Sequence, residues 1–281
     1  MSKCRAPRVP TAVVFSMVTL SAGCGSSAES PPVFGGRGAT IPEGSVADAP
    51  PPAAAAAGPC SEPAPRGETA RIDDFEDEDN KIFKAFEREG WWYTATDDTE
   101  GGAVLPPSGS FAPVPLPAEE ATLHNEYAAH LTASGFEVWG ATWGTTLRFT
   151  REGIKCAFNG SSFAGIRFRA KGNGTLRVNL GTPETIPVED GGRCEERCYD
   201  THARLVRIKP DWQVFEVRWG DLQQGGWGTQ ARFDPARLLN VGFNADKERL
   251  PVDVWLDDIE FLVEAGAPPS NQSAVNADRA P

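Results

Sequence analysis

Residues 163–180 read Phe163-Ala164-Gly165-Ile166-Arg167-Phe168-Arg169-Ala170-Lys171-Gly172-Asn173-Gly174-Thr175-Leu176-Arg177-Val178-Asn179-Leu180. Apolar and polar residues alternate from Ile166 to Ala170 and again from Leu176 to Leu180, the period of a strand with one buried face. Lys171 to Gly174 between them carries two glycines and reads as a turn, so the pair is expected to form a hairpin. Further strands are expected at Ala128–Thr132, Leu205–Ile208, Val214–Val217, Leu238–Phe243 and Val252–Phe261, with Pro210-Asp211 as a turn signal. Helices are confined to short pieces near Lys81–Glu87 or Pro235–Leu239. Many short strands broken by turns predict an all-β fold, an antiparallel β-sandwich or jelly roll. No internal repeat interrupts the reading.

Composition bounds the function. The chain has 281 residues, 40% hydrophobic and 23% charged, with a net charge of −12. That acidity disfavours nucleic acid, which selects a basic face. Three His and two Met leave little for a histidine-driven active site or a soft-metal site.

The first 24 residues read as an export signal. Lys3, Arg5 and Arg8 precede the mostly apolar run Val9–Leu20, too short for a membrane span. It ends in Leu20-Ser21-Ala22-Gly23-Cys24, which resembles a bacterial lipobox with Cys24 as the lipidated residue, although Ser21 stands where an aliphatic residue is usual. Ordinary cleavage after a small residue is the other reading. Residues 25–70 form a linker rich in Ala, Pro, Gly and Ser, and such a segment buries too little apolar surface to offset its ordering entropy. Residues 265–281 read as a disordered tail, leaving 71–264 as the folded module.

Five stretches of that module resemble the family 11-type carbohydrate-binding modules of the galactose-binding-like jelly-roll superfamily. They are Ile72-Asp73-Asp74-Phe75-Glu76, Trp139-Gly140-Ala141, Phe163 to Gly172, Asp211-Trp212-Gln213-Val214-Phe215, and Val254-Trp255-Leu256-Asp257-Asp258-Ile259-Glu260-Phe261. The resemblance implies a non-catalytic sandwich whose first and last strands lie side by side. It further implies that their carboxylates (Asp74, Glu76, Asp257 and Asp258) hold a structural calcium ion. Six acids in the seven positions 73–79 otherwise read as a solvated edge.

Cys60, Cys156, Cys194 and Cys198 are expected to form disulfides in an exported chain. Cys194 with Cys198, and Cys60 with Cys156, is one connectivity among those the spacing allows. Adding His202 gives Cys-x3-Cys-x3-His, a zinc-ligand spacing without an evident fourth ligand.

Sugar recognition uses flat aromatic faces and planar polar groups. Trp139, Trp143 and Trp227 stand in glycine-flanked, loop-like surroundings and are candidate contacts, whereas Trp212 and Trp255 read as core. Arg167, Arg169, Arg177 and Asn179 share the polar phase of their strands and are read as lining one sheet face, a binding surface or plain solvent exposure. No nucleophile elbow, HExxH helix, P-loop or dinucleotide fingerprint occurs. The expected function is non-catalytic binding of polysaccharide, a β-glucan-like glycan, by a monomer tethered to the cell envelope. That envelope lipoprotein would sit at the outer membrane or cell surface, or otherwise be periplasmic or secreted. Its membrane contact is through the lipid anchor only. The alternative is a protein-interaction or assembly module on the same fold, with a glycoside hydrolase or lyase third.

Overall fold

The alternation seen in residues 166–180 becomes one strand. In the computed structural model, which describes residue 60 and residues 70–85, 88–150 and 153–263, residues Gly165–Gly181 run without a turn. The other strands are β1 (Arg71–Asp73), β2 (Trp92–Thr96), β3 (Ala103–Leu105), β4 (Val114–Pro115), β5 (Tyr127–Ser134), β6 (Gly140–Thr146), β8 (His202–Ile208), β9 (Gln213–Arg218), β10 (Asn240–Asp246) and β11 (Val252–Leu262), with Gly165–Gly181 as β7. The readings on the export signal, Cys24, most of the linker and the tail fall outside the described residues.

β7 belongs to two layers. Its first half pairs with β9 and β11, and through β11 with β5 and β3, which makes a back sheet. Its second half pairs with β8 and β10, and through β10 with β6 and β2, which makes a front sheet. Every pairing between these strands is antiparallel, and β1 adds to β11 as the resemblance implied.

The expected hairpin is therefore a corner. Gly172 and Gly174 take φ of 129° and 135°, and a Cβ on Gly172 would lie 2.2 Å from the Asp253 carbonyl oxygen. Strands that cross between packed sheets bend at such glycines. Ala170 and Leu176 are an even number of residues apart, so inward phase is kept through the bend, and period alone does not separate a corner from a turn.

Between the layers lies an all-apolar core. Ile166, Phe168, Ala170, Leu176, Val178 and Leu180 from β7 are all fully buried in it. The architecture is an antiparallel β-sandwich of the jelly-roll kind. Residues 235–237 form a single 3₁₀ turn, and no helix among the described residues is long and apolar enough to cross a membrane.

Candidate functional site

The solvent side of the front sheet carries a groove of about 500 Å³. Its floor is Arg177 on β7, Asp246 at the end of β10, and Ala203 and Leu205 on β8. Register places Arg177 opposite Asn244 on one side and Leu205 on the other, so these side chains stand in a row across the strands. Trp139 leads into β6 at one wall, and Trp227 rises from the loop Gly225-Gly226-Trp227-Gly228 at another. They are 43% and 52% exposed, enough to offer indole surface to a ligand.

Asp246 accepts hydrogen bonds from Arg177 Nε at 3.0 Å and from an Arg249 guanidinium nitrogen at 3.3 Å, so one carboxylate serves two cations. Beyond it, Asn244 Oδ1 accepts from Thr142 Oγ1 at 2.6 Å and Asn179 Nδ2 at 2.7 Å. These planar amides, hydroxyls and guanidiniums, bordered by two indoles, match the mixed apolar and polar lining that orients small ligands.

Each tryptophan loop rests on a buried aspartate. Asp97 Oδ2 accepts the amides of Val138, Trp139 and Gly140 at 3.1, 2.7 and 2.8 Å, and Oδ1 accepts the Thr99 amide. Burial pushes this carboxyl upward, but the Thr99 side chain and the backbone donors outweigh it and hold the group well below the usual range. Asp200 anchors the second loop with the same hydrogen-bond pattern, accepting the amides of Gly225 at 2.7 Å, Gly226 at 2.8 Å and Gly228 at 3.0 Å. Gly228 has no room for a side chain, because a Cβ would meet that of Asp200 at 2.3 Å.

Of the residues singled out in the sequence, Trp139, Trp227 and Arg177 come together in the groove, and Asn179 stands beside it, nearly buried. Trp143 does not. It is fully buried, since residues 141, 143 and 145 of β6 face inward, and its Nε1 donates to the Leu105 carbonyl at 3.1 Å. Arg167 and Arg169 are also parted from Arg177 and Asn179, because the corner in β7 puts them on the other sheet. They line a separate cleft of about 360 Å³ and pair with Glu260 and Asp258, each at 3.0 Å.

Trp212 and Trp255 are on the outer face of the back sheet, not in the core. There Trp255 stacks on His130 with centroids 4.3 Å apart, and Lys171 lies between the two tryptophans, 5.4 Å from each ring. Asp97, Asp200, Asp246 and Arg249 escaped the sequence reading. Asp97 and Asp200 stand far along the chain from the loops they hold, and no local pattern marks such a pairing.

The four carboxylates expected at a metal divide into two pairs. Asp74 pairs with Arg71 at 2.5 Å and Asp258 with Arg169. Glu76 and Asp257 both reach residues 125–127: Glu76 accepts the Glu126 and Tyr127 amides, and Asp257 Oδ2 accepts from Asn125 Nδ2 at 2.7 Å while lying 3.8 Å from the Arg169 guanidinium. Among the described residues no three His, Cys, Asp or Glu side chains are grouped to hold a metal ion. The oxygen donors near 125–127 suit calcium in kind.

Cys60–Cys156 and Cys194–Cys198 are disulfides, with Cα separations of 5.4 and 5.7 Å, so the Cys-x3-Cys-x3-His spacing does not hold zinc. His202 instead points Nε2 at the Ala231 carbonyl at 2.9 Å.

No family model matches the chain. Over 212 residues it is 27% identical to Endoglucanase 3 of Fibrobacter succinogenes, a match covering 69% of this chain and 27% of that protein. The chain thus spans about a quarter of the length of the curated relative it matches. Among solved structures it is similar to the family 11 carbohydrate-binding module of the cellulosomal cellulase Lic26A-Cel5E of Clostridium thermocellum, with TM-score 0.45, 16% identity, and coverage of 72% of this chain and 98% of that one. It is also similar to a family 30 carbohydrate-binding module, with TM-score 0.42, 15% identity, and coverage of 72% and 92%.

Proposed function

We propose that this chain binds polysaccharide, a β-glucan-like glycan, without cleaving it, in the groove between Trp139 and Trp227. The observation that carries this is the convergence of two exposed indoles from distant loops onto one groove that also holds Arg177, Asp246 and Arg249. The partial match to an endoglucanase supports glucan as the class of ligand.

The groove's acids support binding over hydrolysis. A glycosidase needs one carboxyl placed as proton donor and another as base or nucleophile. Here Asp246 is held between two guanidiniums and Asp200 is saturated by backbone amides, which leaves Glu248 as the groove's one other carboxylate where that chemistry needs two. The same proposal places a structural calcium at Glu76 and Asp257. It also includes export, with lipidation at Cys24 and the linker holding the module away from the envelope.

Affinity electrophoresis of the full chain through gels containing β-glucan, xylan or mannan tests the reading. Retardation by β-glucan is expected, and it should be lost in Trp139→Ala/Trp227→Ala with the melting temperature unchanged. A folded protein that no glycan retards would overturn the proposal and favour the interaction-module alternative.

A further inference from the structure

The two aromatic walls are held in the same way. On each side a nearly fully buried carboxylate accepts three backbone amides from a tryptophan-bearing, glycine-containing loop: Val138, Trp139 and Gly140 by Asp97, and Gly225, Gly226 and Gly228 by Asp200. The second loop is pinned at its far end as well. Thr229 donates its hydroxyl to the Glu196 carbonyl at 2.6 Å and its amide to the Arg197 carbonyl at 3.1 Å, both inside the Cys194–Cys198 disulfide loop.

A loop with three glycines in four positions has a wide choice of backbone conformations. If it is ordered only when a ligand arrives, the binding free energy is reduced by the cost of ordering it. If it is ordered beforehand, that cost is removed from binding. Both oxygens of each aspartate are occupied by the chain's own donors, so their effect on a ligand passes through the tryptophans.

We infer that Asp97 and Asp200 are positioning residues, which set Trp139 and Trp227 in place before the glycan binds. This rests on the groove being the glycan site. Replacing Asp200 by Asn turns one acceptor into an amide donor facing backbone N–H groups, which frees the loop while nearly conserving side-chain volume.

Calorimetric titration of β-glucan oligosaccharide into the full chain tests the inference, with wild type, Asp200→Asn, Trp227→Ala and the double variant compared, and amide exchange followed at residues 225–228. The expected result for Asp200→Asn is faster exchange in that loop and an affinity about tenfold lower, lost through entropy, as for one side chain and its loop left to be ordered on binding. In the Trp227→Ala background the same change should cost no affinity. Asp97→Asn with Trp139→Ala repeats the cycle on the other wall, should Asp200→Asn fail to fold. Unchanged affinity despite faster exchange, or an equal loss with and without the tryptophan, would overturn the inference alone. If wild type binds no glycan, the function proposed for the groove falls, and this inference with it.

Discussion

Phe168 and Phe243 meet edge to face across the two layers, with ring centroids 5.2 Å apart and an interplanar angle of 82°. Phe168 comes from the back-sheet half of β7 and Phe243 from β10 of the front sheet, so this contact lies at the middle of the sandwich. Trp143 pairs with Phe243 across the β6–β10 ladder and is fully buried there. Trp143→Ala should therefore destabilise the fold by about 3–5 kcal/mol, the usual cost of truncating a large buried aromatic. Trp139→Ala and Trp227→Ala, both solvent-facing, should stay within about 0.5 kcal/mol of wild type. Urea unfolding of the three variants checks the contrast, and similar losses in all three would contradict the assignment of Trp143 to the core.

The two disulfides close loops of very different length. Cys60 and Cys156 are 96 residues apart, and Cys194 and Cys198 only 4. Loop-closure entropy then predicts about 4–5 kcal/mol from the first and about 2 from the second. Cys60→Ser/Cys156→Ser should lower the melting temperature more than Cys194→Ser/Cys198→Ser does. The reverse order in calorimetry would show that loop entropy does not govern either bond.

His202 is buried, its Nε2 bonded to the Ala231 carbonyl, and its Nδ1 has no hydrogen-bond partner. Burial pushes its pKa down, against the opposing pull of the Ala231 carbonyl and of Asp200 and Glu184 nearby. The unfolded chain thus binds the proton more readily, and its stabilising effect is whole above the unfolded pKa near 6.5 and lost as pH falls below it. Melting temperatures between pH 7.5 and 5 should fall more steeply for wild type than for His202→Gln. Parallel curves would remove His202 as a source of acid sensitivity.

Calcium should raise the melting temperature and a chelator should lower it, with Glu76→Gln abolishing the difference. Glu76 follows the first strand and Asp257 lies in the last, and both reach residues 125–127, so a cation there would tie the two ends of the fold together. An identical melting temperature with calcium and with chelator would exclude the ion.

Much of the sandwich was legible because alternation reports burial directly. Five separate runs of it correspond to β5 and β8–β11. The site was legible in part. Glycine neighbours marked Trp139 and Trp227 as displayable, but they marked Trp143 too, and only inward phase on β6 separates it from the others.

Local order along the chain thus specified the class of fold, since period, turn residues and apolar content act over a few neighbouring positions. Tertiary structure decided what the bend in β7 did. By carrying one strand through both sheets it parted Arg167 and Arg169 from Arg177, though all three share a phase. It also decided which distant groups meet: Asp97 with the Trp139 loop, Asp200 with the Trp227 loop, and Asp246 with Arg177. Hydrogen bonds between residues far apart in sequence have no periodic signature, and they exist only once the two layers have closed on their core.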